Sequence, residues 1–216
     1  MPRLEARDLT LRIGNRLLLR DLSVAFEAGQ NWAILGANGS GKTTLLQTLA
    51  GLRRADGGDV LLDGQTMRHI PRRVQAQKLG ILFQDAPNTL PASVFETVLS
   101  GRHPYLGFWQ SETALDHEMA HAALAAVGLA NFVDRSVATL SGGERRRVEV
   151  ATLLAQDAPL CLLDEPVNHL DPRHQTALLR LVRARTQRAG HLNLLVLHDV
   201  NLALHFCSHG LLLLGD

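Results

Sequence analysis

Apolar residues alternate with polar ones near the start of the chain. The alternation covers residues 9–13, meets Gly14-Asn15 and resumes between residues 17 and 26. Period-2 apolar positions on both sides of a Gly-Asn turn predict antiparallel strands. A further short strand is predicted at residues 60–62, between two glycine-containing turns. The first part of the chain is therefore predicted to form an antiparallel β subdomain.

Short continuous apolar runs replace this alternation farther along the chain. They occupy residues 32–35, 160–163 and 194–197, and they alternate with helical stretches at residues 42–50, 144–156 and 176–186. Such runs are typical of strands covered on both faces, as in a parallel sheet. The pattern predicts an α/β fold with a mixed or parallel sheet.

The stretch between residues 95 and 138 is predicted to be helical without intervening strands. Within residues 113–127, Leu115, Met119 and Leu124 lie near helical spacing, and Gly128 is suited to cap the helix. We therefore expect one domain, residues 1–216, in which a core of residues 1–85 and 139–216 carries a helical subdomain inserted at residues 86–138.

Composition limits the possible functions. Lys and Arg (22) balance Asp and Glu (21), which argues against binding bulk nucleic acid. The two cysteines, Cys161 and Cys207, form neither a disulfide framework nor a metal motif, so a reducing compartment is expected. The longest unbroken apolar run, residues 122–127, is far shorter than the about 20 residues of a membrane-spanning helix. The start of the chain lacks a signal-peptide pattern, so any membrane role is expected to depend on a partner.

A P-loop motif lies between a predicted strand and a predicted helix. Its sequence is Gly36-Ala37-Asn38-Gly39-Ser40-Gly41-Lys42-Thr43. The glycines let backbone N–H groups turn toward phosphate oxygens at a helix N-terminus. Lys42 is predicted to reach the β- and γ-phosphates of a nucleotide, and the Thr43 hydroxyl is predicted to bind Mg²⁺. The alternative is a glycine-rich turn without a ligand, which the flanking strand and helix disfavour.

A second glycine-containing helix start lies at residues 140–144. Ser141 and Glu144 have the spacing of a capping box. Gly142 and Gly143 would each cost about 0.5–1 kcal/mol relative to alanine in a first helical turn, so we expect a ligand to approach this backbone closely. A second bare helix N-terminus predicts another phosphate contact, which a head-to-tail dimer could complete for the partner copy.

Two carboxylates follow the predicted strand at residues 160–163. The C-terminal end of a parallel strand is where α/β sheets place ligands. Asp164 is predicted to hold Mg²⁺ through its water shell, and Glu165 to accept the proton of an attacking water. The alternative is a surface turn with two acids.

In this order the motifs resemble those of the ATP-binding cassette family along nearly the whole chain. The resemblance implies a P-loop NTPase core with ATPase activity. It assigns Walker A to residues 36–43, the signature to 140–144, Walker B to 161–165 and the D-loop to 168–171. It also implies that Gln84 contacts Mg²⁺ and the membrane-subunit interface, and that His198 contacts the γ-phosphate.

The predicted site combines three sets of residues. The catalytic set is Lys42, Gln84, Glu165 and His198. The nucleotide-binding set is Gly36, Ala37, Asn38, Gly39, Ser40, Gly41, Lys42, Thr43, Thr44, Ser141, Gly142, Gly143 and Ile13, and the metal set is Thr43, Gln84 and Asp164. The family usually has an aromatic residue that stacks on adenine where this chain has Ile13, so weaker contact with the base is expected.

Softer similarities lie at residues 101–105, 153–156, 170–175 and 197–203. There the chain resembles the ATPases of metal-chelate importers for iron-siderophore, haem or cobalamin. The resemblance implies ATP and Mg²⁺ as cofactors, and a second copy of the chain, membrane permease subunits and a periplasmic binding protein as partners. It places the chain at the cytoplasmic face of the inner membrane.

Three other functions remain open, namely an exporter subunit, a soluble cassette ATPase acting on DNA or ribosomes, and a nucleotide-sensing regulator. The spacing between Lys42 and Asp164 leaves no room for a long coiled coil, and Glu165 argues against a pure sensor.

Two further expectations concern surfaces. Arg145-Arg146-Arg147 is expected to form a solvated helix face with dimer or nucleotide contacts rather than a nucleic-acid patch. The chain ends at Asp216 in a predicted strand, and the resemblance implies further strand and helix beyond it. Residues 211–214 are therefore expected to lack part of their cover.

Overall fold

The computed structural model describes residues 1–84, 92–107, 109–187 and 190–214. The strands are β1 (Arg3–Ile13), β2 (Arg16–Glu27), β3 (Asn31–Gly36), β4 (Gly57–Leu62), β5 (Gln65–Thr66), β6 (Leu79–Leu82), β7 (Leu160–Asp164), β8 (Leu192–Val196) and β9 (His209–Leu213). The α-helices are α1 (Lys42–Leu49), α2 (Arg72–Lys78), α3 (Val94–Leu99), α4 (Ala114–Ala126), α5 (Gly142–Gln156), α6 (Pro172–Gln187) and α7 (Val200–Phe206).

A five-stranded sheet in the order β6-β7-β8-β3-β9 forms the centre of the fold, and each described pair of neighbours is parallel. Strands β7 and β8 are buried along their whole length. One face of the sheet packs on α1 and the antiparallel strands, and the other face packs on α5, α6 and α7. The predicted parallel sheet is confirmed. Its strands are covered on both faces, and this two-sided burial explains the continuous apolar runs of the sequence.

A second sheet is antiparallel, with the order β2-β1-β4-β5. Ile13 pairs with Arg16, so the hairpin turns at Gly14-Asn15 as the alternation predicts. Its fully buried residues, including Leu9, Leu11 and Phe26, face the core shared with α1.

The helical segment packs α3 and α4 against α5. The predicted apolar face of α4 is wrong in part, because Leu115 is 61% exposed whereas Asp116 is buried. Asp116 turns inward because Arg102 pairs with it there. The boundary at residue 86 lies outside the described residues, so the division into core and helical subdomain stays a prediction.

Strand β9 lies at the edge of the parallel sheet. Leu213 is buried, whereas Leu212 and Leu214 are exposed. Within the described chain, the helices lack the combined length and apolar character that crossing a membrane requires.

Candidate active site

The P-loop joins the end of β3 to the start of α1. Gly36 has a φ of 154°, and a Cβ atom there would lie 2.6 Å from the Leu213 carbonyl oxygen and from Ser40 Oγ. Only glycine fits this close approach. Strand β9 therefore packs against the point where the loop leaves the sheet.

Helix α1 begins differently from helices α3, α4 and α5. Its N-cap, Gly41, is left-handed, and the described residues supply it with no side-chain cap and no acid in its first turn. Helices α3, α4 and α5 each begin with a capping box that includes an acidic residue. The first N–H groups of α1 are thus available to an anion.

Lys42 is buried, and its Nζ donates to the carbonyl oxygens of Gly36 and Ala37, both at 2.9 Å. The ammonium group therefore lies across the loop, beside the N–H groups that face an anion. Ser40 Oγ is buried without a partner in the described part of the chain. This combination of positive charge and open donors suits phosphate.

Asp164 ends β7 and is 2% exposed. Burial raises the pKa of this carboxyl group, and a hydrogen bond from Thr43 partly opposes the rise. Among the described residues, Asp164 Oδ1 has no hydrogen-bond partner. A hydroxyl and an orphaned carboxylate oxygen are hard ligands of the kind Mg²⁺ prefers, so the residues present fit this ion.

Glu165 follows in a left-handed backbone conformation, with a φ of 48°. One carboxylate oxygen contacts His198 Nε2, and the other accepts a hydrogen bond from Asn168 Nδ2. Sequence reasoning placed Asn168 in a motif without giving it this contact. The position of Asn168, three residues after Glu165 and in the turn that follows β7, is the sequence feature that could have predicted this contact.

Lys42, Thr43, Glu165 and His198 meet in a cavity of about 430 Å³. It is lined by Ile13, Asn38, Gly39, Gly41, Lys42, Thr43, Thr44, Gln84, Glu165 and His198. A cavity of about 600 Å³ elsewhere, between α1, β4 and α2, contains no P-loop residue in its described lining. The smaller cavity is therefore the candidate site, because it gathers residues of the phosphate-binding loop, the Glu165 carboxylate and His198.

The start of α5 does not contribute to this cavity within one described chain. The predicted capping box is confirmed, since the Ser141 side chain accepts from Glu144 N and the Glu144 carboxylate bonds Ser141 N. This backbone hydrogen bond lowers the pKa of Glu144. The expectation of a bare helix N-terminus is therefore wrong, because a carboxylate of the chain itself already lies there.

The two glycines of this helix start have different surroundings. A Cβ atom at Gly143 would lie 3.1 Å from the His169 carbonyl oxygen, whereas Gly142 has its nearest described neighbour, His169 Cβ, at 4.0 Å. Packing against residue 169 thus accounts for Gly143 without a ligand. A contact from Ser141, Gly142 and Gly143 to a second copy stays a prediction.

The prediction that Arg145-Arg146-Arg147 forms a solvated helix face is wrong at Arg146. Arg146 is only 4% exposed, and its guanidinium lies among backbone carbonyl groups at the ends of β6 and β7. The sequence pattern could not predict this burial, because the carbonyl groups come from residues that are distant in the sequence.

Comparison with known proteins places this site in a family. Residues 19–168 match the family model described as ABC transporter. The ferric enterobactin transport ATP-binding protein FepC of Escherichia coli (strain K12) is 38% identical over 209 residues, covering 97% of this chain and 77% of that protein. The hemin import ATP-binding protein HmuV of Pseudomonas fluorescens (strain Pf0-1) is 42% identical over 217 residues, covering 98% and 83%.

A solved structure supports the same assignment. A protein described as a metal-chelate type ABC transporter, in an inward-facing conformation, superposes with a TM-score of 0.83 at 27% identity, covering 99% of this chain and 80% of that one. The predicted α/β P-loop fold is confirmed by this likeness. Because the family model matches most of the chain and the relatives cover nearly all of it, this chain belongs to the ABC transporter family, as an ATP-binding subunit with the ATPase fold.

Proposed function

We propose that this chain hydrolyses ATP to power import of an iron chelate, a siderophore complex or haem. The observation that carries hydrolysis is the Glu165 carboxylate in the same cavity as Lys42 and Thr43. The cargo class is supported by the relatives, whose names refer to enterobactin, petrobactin and hemin. These names favour siderophore or haem over cobalamin.

The residues of the cavity have distinct proposed roles. The P-loop N–H groups and Lys42 bind the phosphates, and Ile13 lies beside the base. Thr43, Asp164 and Gln84 hold Mg²⁺, which when bound offsets negative charge on the phosphates. Glu165 accepts the proton of the attacking water, a role that its position at the end of β7 supports.

His198 and Asn168 hold the Glu165 carboxylate. We propose that His198 turns to the γ-phosphate when ATP binds, because its side chain is 42% exposed and lines the cavity. Glu165 then keeps Asn168 as its partner. Its carboxylate stays oriented while one oxygen becomes available to water.

The proposed assembly has two copies of the chain and membrane partners. Ser141, Gly142 and Gly143 of one copy contact the γ-phosphate held by the other, so one chain holds half of each site. Permease subunits dock beside Gln84 and the helical segment, with a periplasmic binding protein delivering cargo. The chain then works at the cytoplasmic face of the inner membrane, as a peripheral subunit that binds no nucleic acid.

Glu165→Gln tests the hydrolytic role. Phosphate release should fall by about 10²-fold or more, because the amide cannot take the proton, whereas ATP binding should persist. Glu118→Gln, at an exposed position on α4, is the matched control and should keep the wild-type rate. Turnover near wild type in the Glu165 variant would refute the assignment.

A further inference from the structure

Arg146, a buried residue early in α5, makes contacts that connect three segments of the chain. Its guanidinium donates through Nη1 to Phe83 O (2.6 Å), through Nη2 to Asp164 O (2.7 Å) and Glu165 O (2.9 Å), and through Nε to Pro166 O (3.3 Å). Nη1 also bonds the Glu149 carboxylate at 2.8 Å, which balances the charge. The five contacts use the full donor fork of the side chain.

The carbonyl groups come from the ends of two neighbouring parallel strands. Strands β6 and β7 pair through Leu82 and Leu163, and Phe83 and Asp164 follow these residues directly. Gln84, which lines the cavity, comes one residue after Phe83. A single side chain of the helix that carries the signature motif thus fixes the two strand ends that enter the candidate site.

The backbone of Glu165 requires such support. Its φ of 48° is left-handed, a conformation that residues other than glycine rarely adopt. Nη2 of Arg146 bonds the carbonyl oxygens of Asp164 and Glu165, one on each side of this φ and ψ pair. The turn directs the Glu165 side chain into the cavity, so its stability determines where the carboxylate lies.

We propose that Arg146 is a positioning residue for ATP hydrolysis. It does not line the cavity, and it acts by holding the Glu165 backbone at a fixed distance from α5. The proposal rests on the proposed role of Glu165 as the base. A planar fork with five donors can satisfy four carbonyl groups and a carboxylate at once, whereas lysine and glutamine cannot.

The test compares Arg146→Gln with Arg185→Gln in ATPase assays. Arg185 is a buried arginine of α6 that donates to Ala158 O, before the opposite end of β7. Both changes remove a buried guanidinium, so both should lower the melting temperature. Only Arg146→Gln should lower kcat, by about 10²-fold, because displacement of a reacting group by about 1 Å has an effect of this size.

The Michaelis constant separates positioning from general damage. The KM for ATP should stay near the wild-type value in Arg146→Gln, because the P-loop contacts are not changed. Equal kcat values for the Arg146 and Arg185 variants would refute the proposal. If Arg146→Gln does not fold, Arg146→Lys carries the test, since it keeps the charge but loses the fork, and a wild-type kcat in that variant would also refute it.

The double variant Arg146→Gln/Glu165→Gln separates this proposal from the proposed function. If Arg146 acts through Glu165, the double variant should hydrolyse ATP no more slowly than Glu165→Gln alone. An additive loss would overturn the positioning role. A fast Glu165→Gln variant would instead refute the role of Glu165 as base, whatever Arg146→Gln does.

Discussion

Replacing Asp116 by alanine should destabilise the helical segment strongly. Arg102 Nε lies 2.8 Å from Asp116 Oδ1, with side-chain exposures of 8% and 6%. Asp116 Oδ2 accepts from Thr113 N (2.9 Å) and Thr113 Oγ1 (2.7 Å), so it also completes the cap of α4. Arg102 Nη1 donates to Ala155 O at 3.0 Å, near the end of α5. Without the carboxylate, the buried guanidinium charge keeps only backbone oxygens and the face of the Tyr105 ring as partners, and no anion balances it.

The expected size follows from this burial. Removing one partner of a buried ion pair costs about 3–5 kcal/mol. For a domain of this length each kcal/mol shifts Tm by about 2–4 °C, so Asp116→Ala should melt about 6–20 °C below wild type. Glu118→Ala changes an exposed acid on the same helix and should shift Tm little.

Thermal melting at pH 7, followed by circular dichroism, measures this difference. Adding Arg102→Met to Asp116→Ala should restore part of the loss, because the unpaired buried charge is then gone. A fall in Tm for Asp116→Ala no larger than about 2–4 °C, the effect of an exposed ion pair, would refute the reasoning.

Three further outcomes are expected. Hydrogen bonds from Arg102 and Thr113 lower the pKa of Asp116 from 3.8 to about 2, so the unfolded chain takes up this proton before the folded chain does as the pH falls. In acid titrations, the difference in Tm between wild type and Asp116→Ala should therefore be full above pH 3.8 and shrink as the pH falls toward 2. A constant difference would contradict the pairing. Ile13, an aliphatic residue that is 53% exposed beside the P-loop, cannot stack on the base, so GTP should be hydrolysed at a rate comparable to ATP. Ile13→Tyr should tighten ATP binding by at least about fivefold, since stacking is worth about 1–3 kcal/mol. Strong rejection of GTP by the wild type would show that another group recognises the base. Mixing Lys42→Ala chains with Ser141→Arg chains should restore ATPase activity, because the mixed dimer has one intact composite site. Melting curves check that both variants are folded, since Ser141→Arg removes the N-cap of α5. Normal activity of Ser141→Arg alone would exclude the two-copy site.

The local part of the fold and site could be predicted from the sequence. The P-loop and the Asp164-Glu165 pair are contiguous segments whose chemistry depends on a strand and a helix directly next to them. His198 is recognisable because it follows an apolar strand in the order that the family resemblance requires. Glu165 and His198 meet the P-loop in one cavity because parallel strands end at the same edge of the sheet.

Contacts between distant segments could not be predicted in this way. Three successive arginines predict a solvated face, yet Arg146 lies among carbonyl groups that are 18 to 63 residues away in the sequence. Helical spacing predicts that Leu115 is buried, but the pairing of Asp116 with Arg102 orients the helix so that Asp116 is buried and Leu115 is exposed.

By itself, the sequence determined which segments become strands, helices and a phosphate-binding loop, since apolar period and glycine placement act over a few residues. Only the tertiary structure decided which polar groups are buried and what they bind. A buried charge is stable only where partners from other segments converge on it, and that convergence is a property of the packed fold.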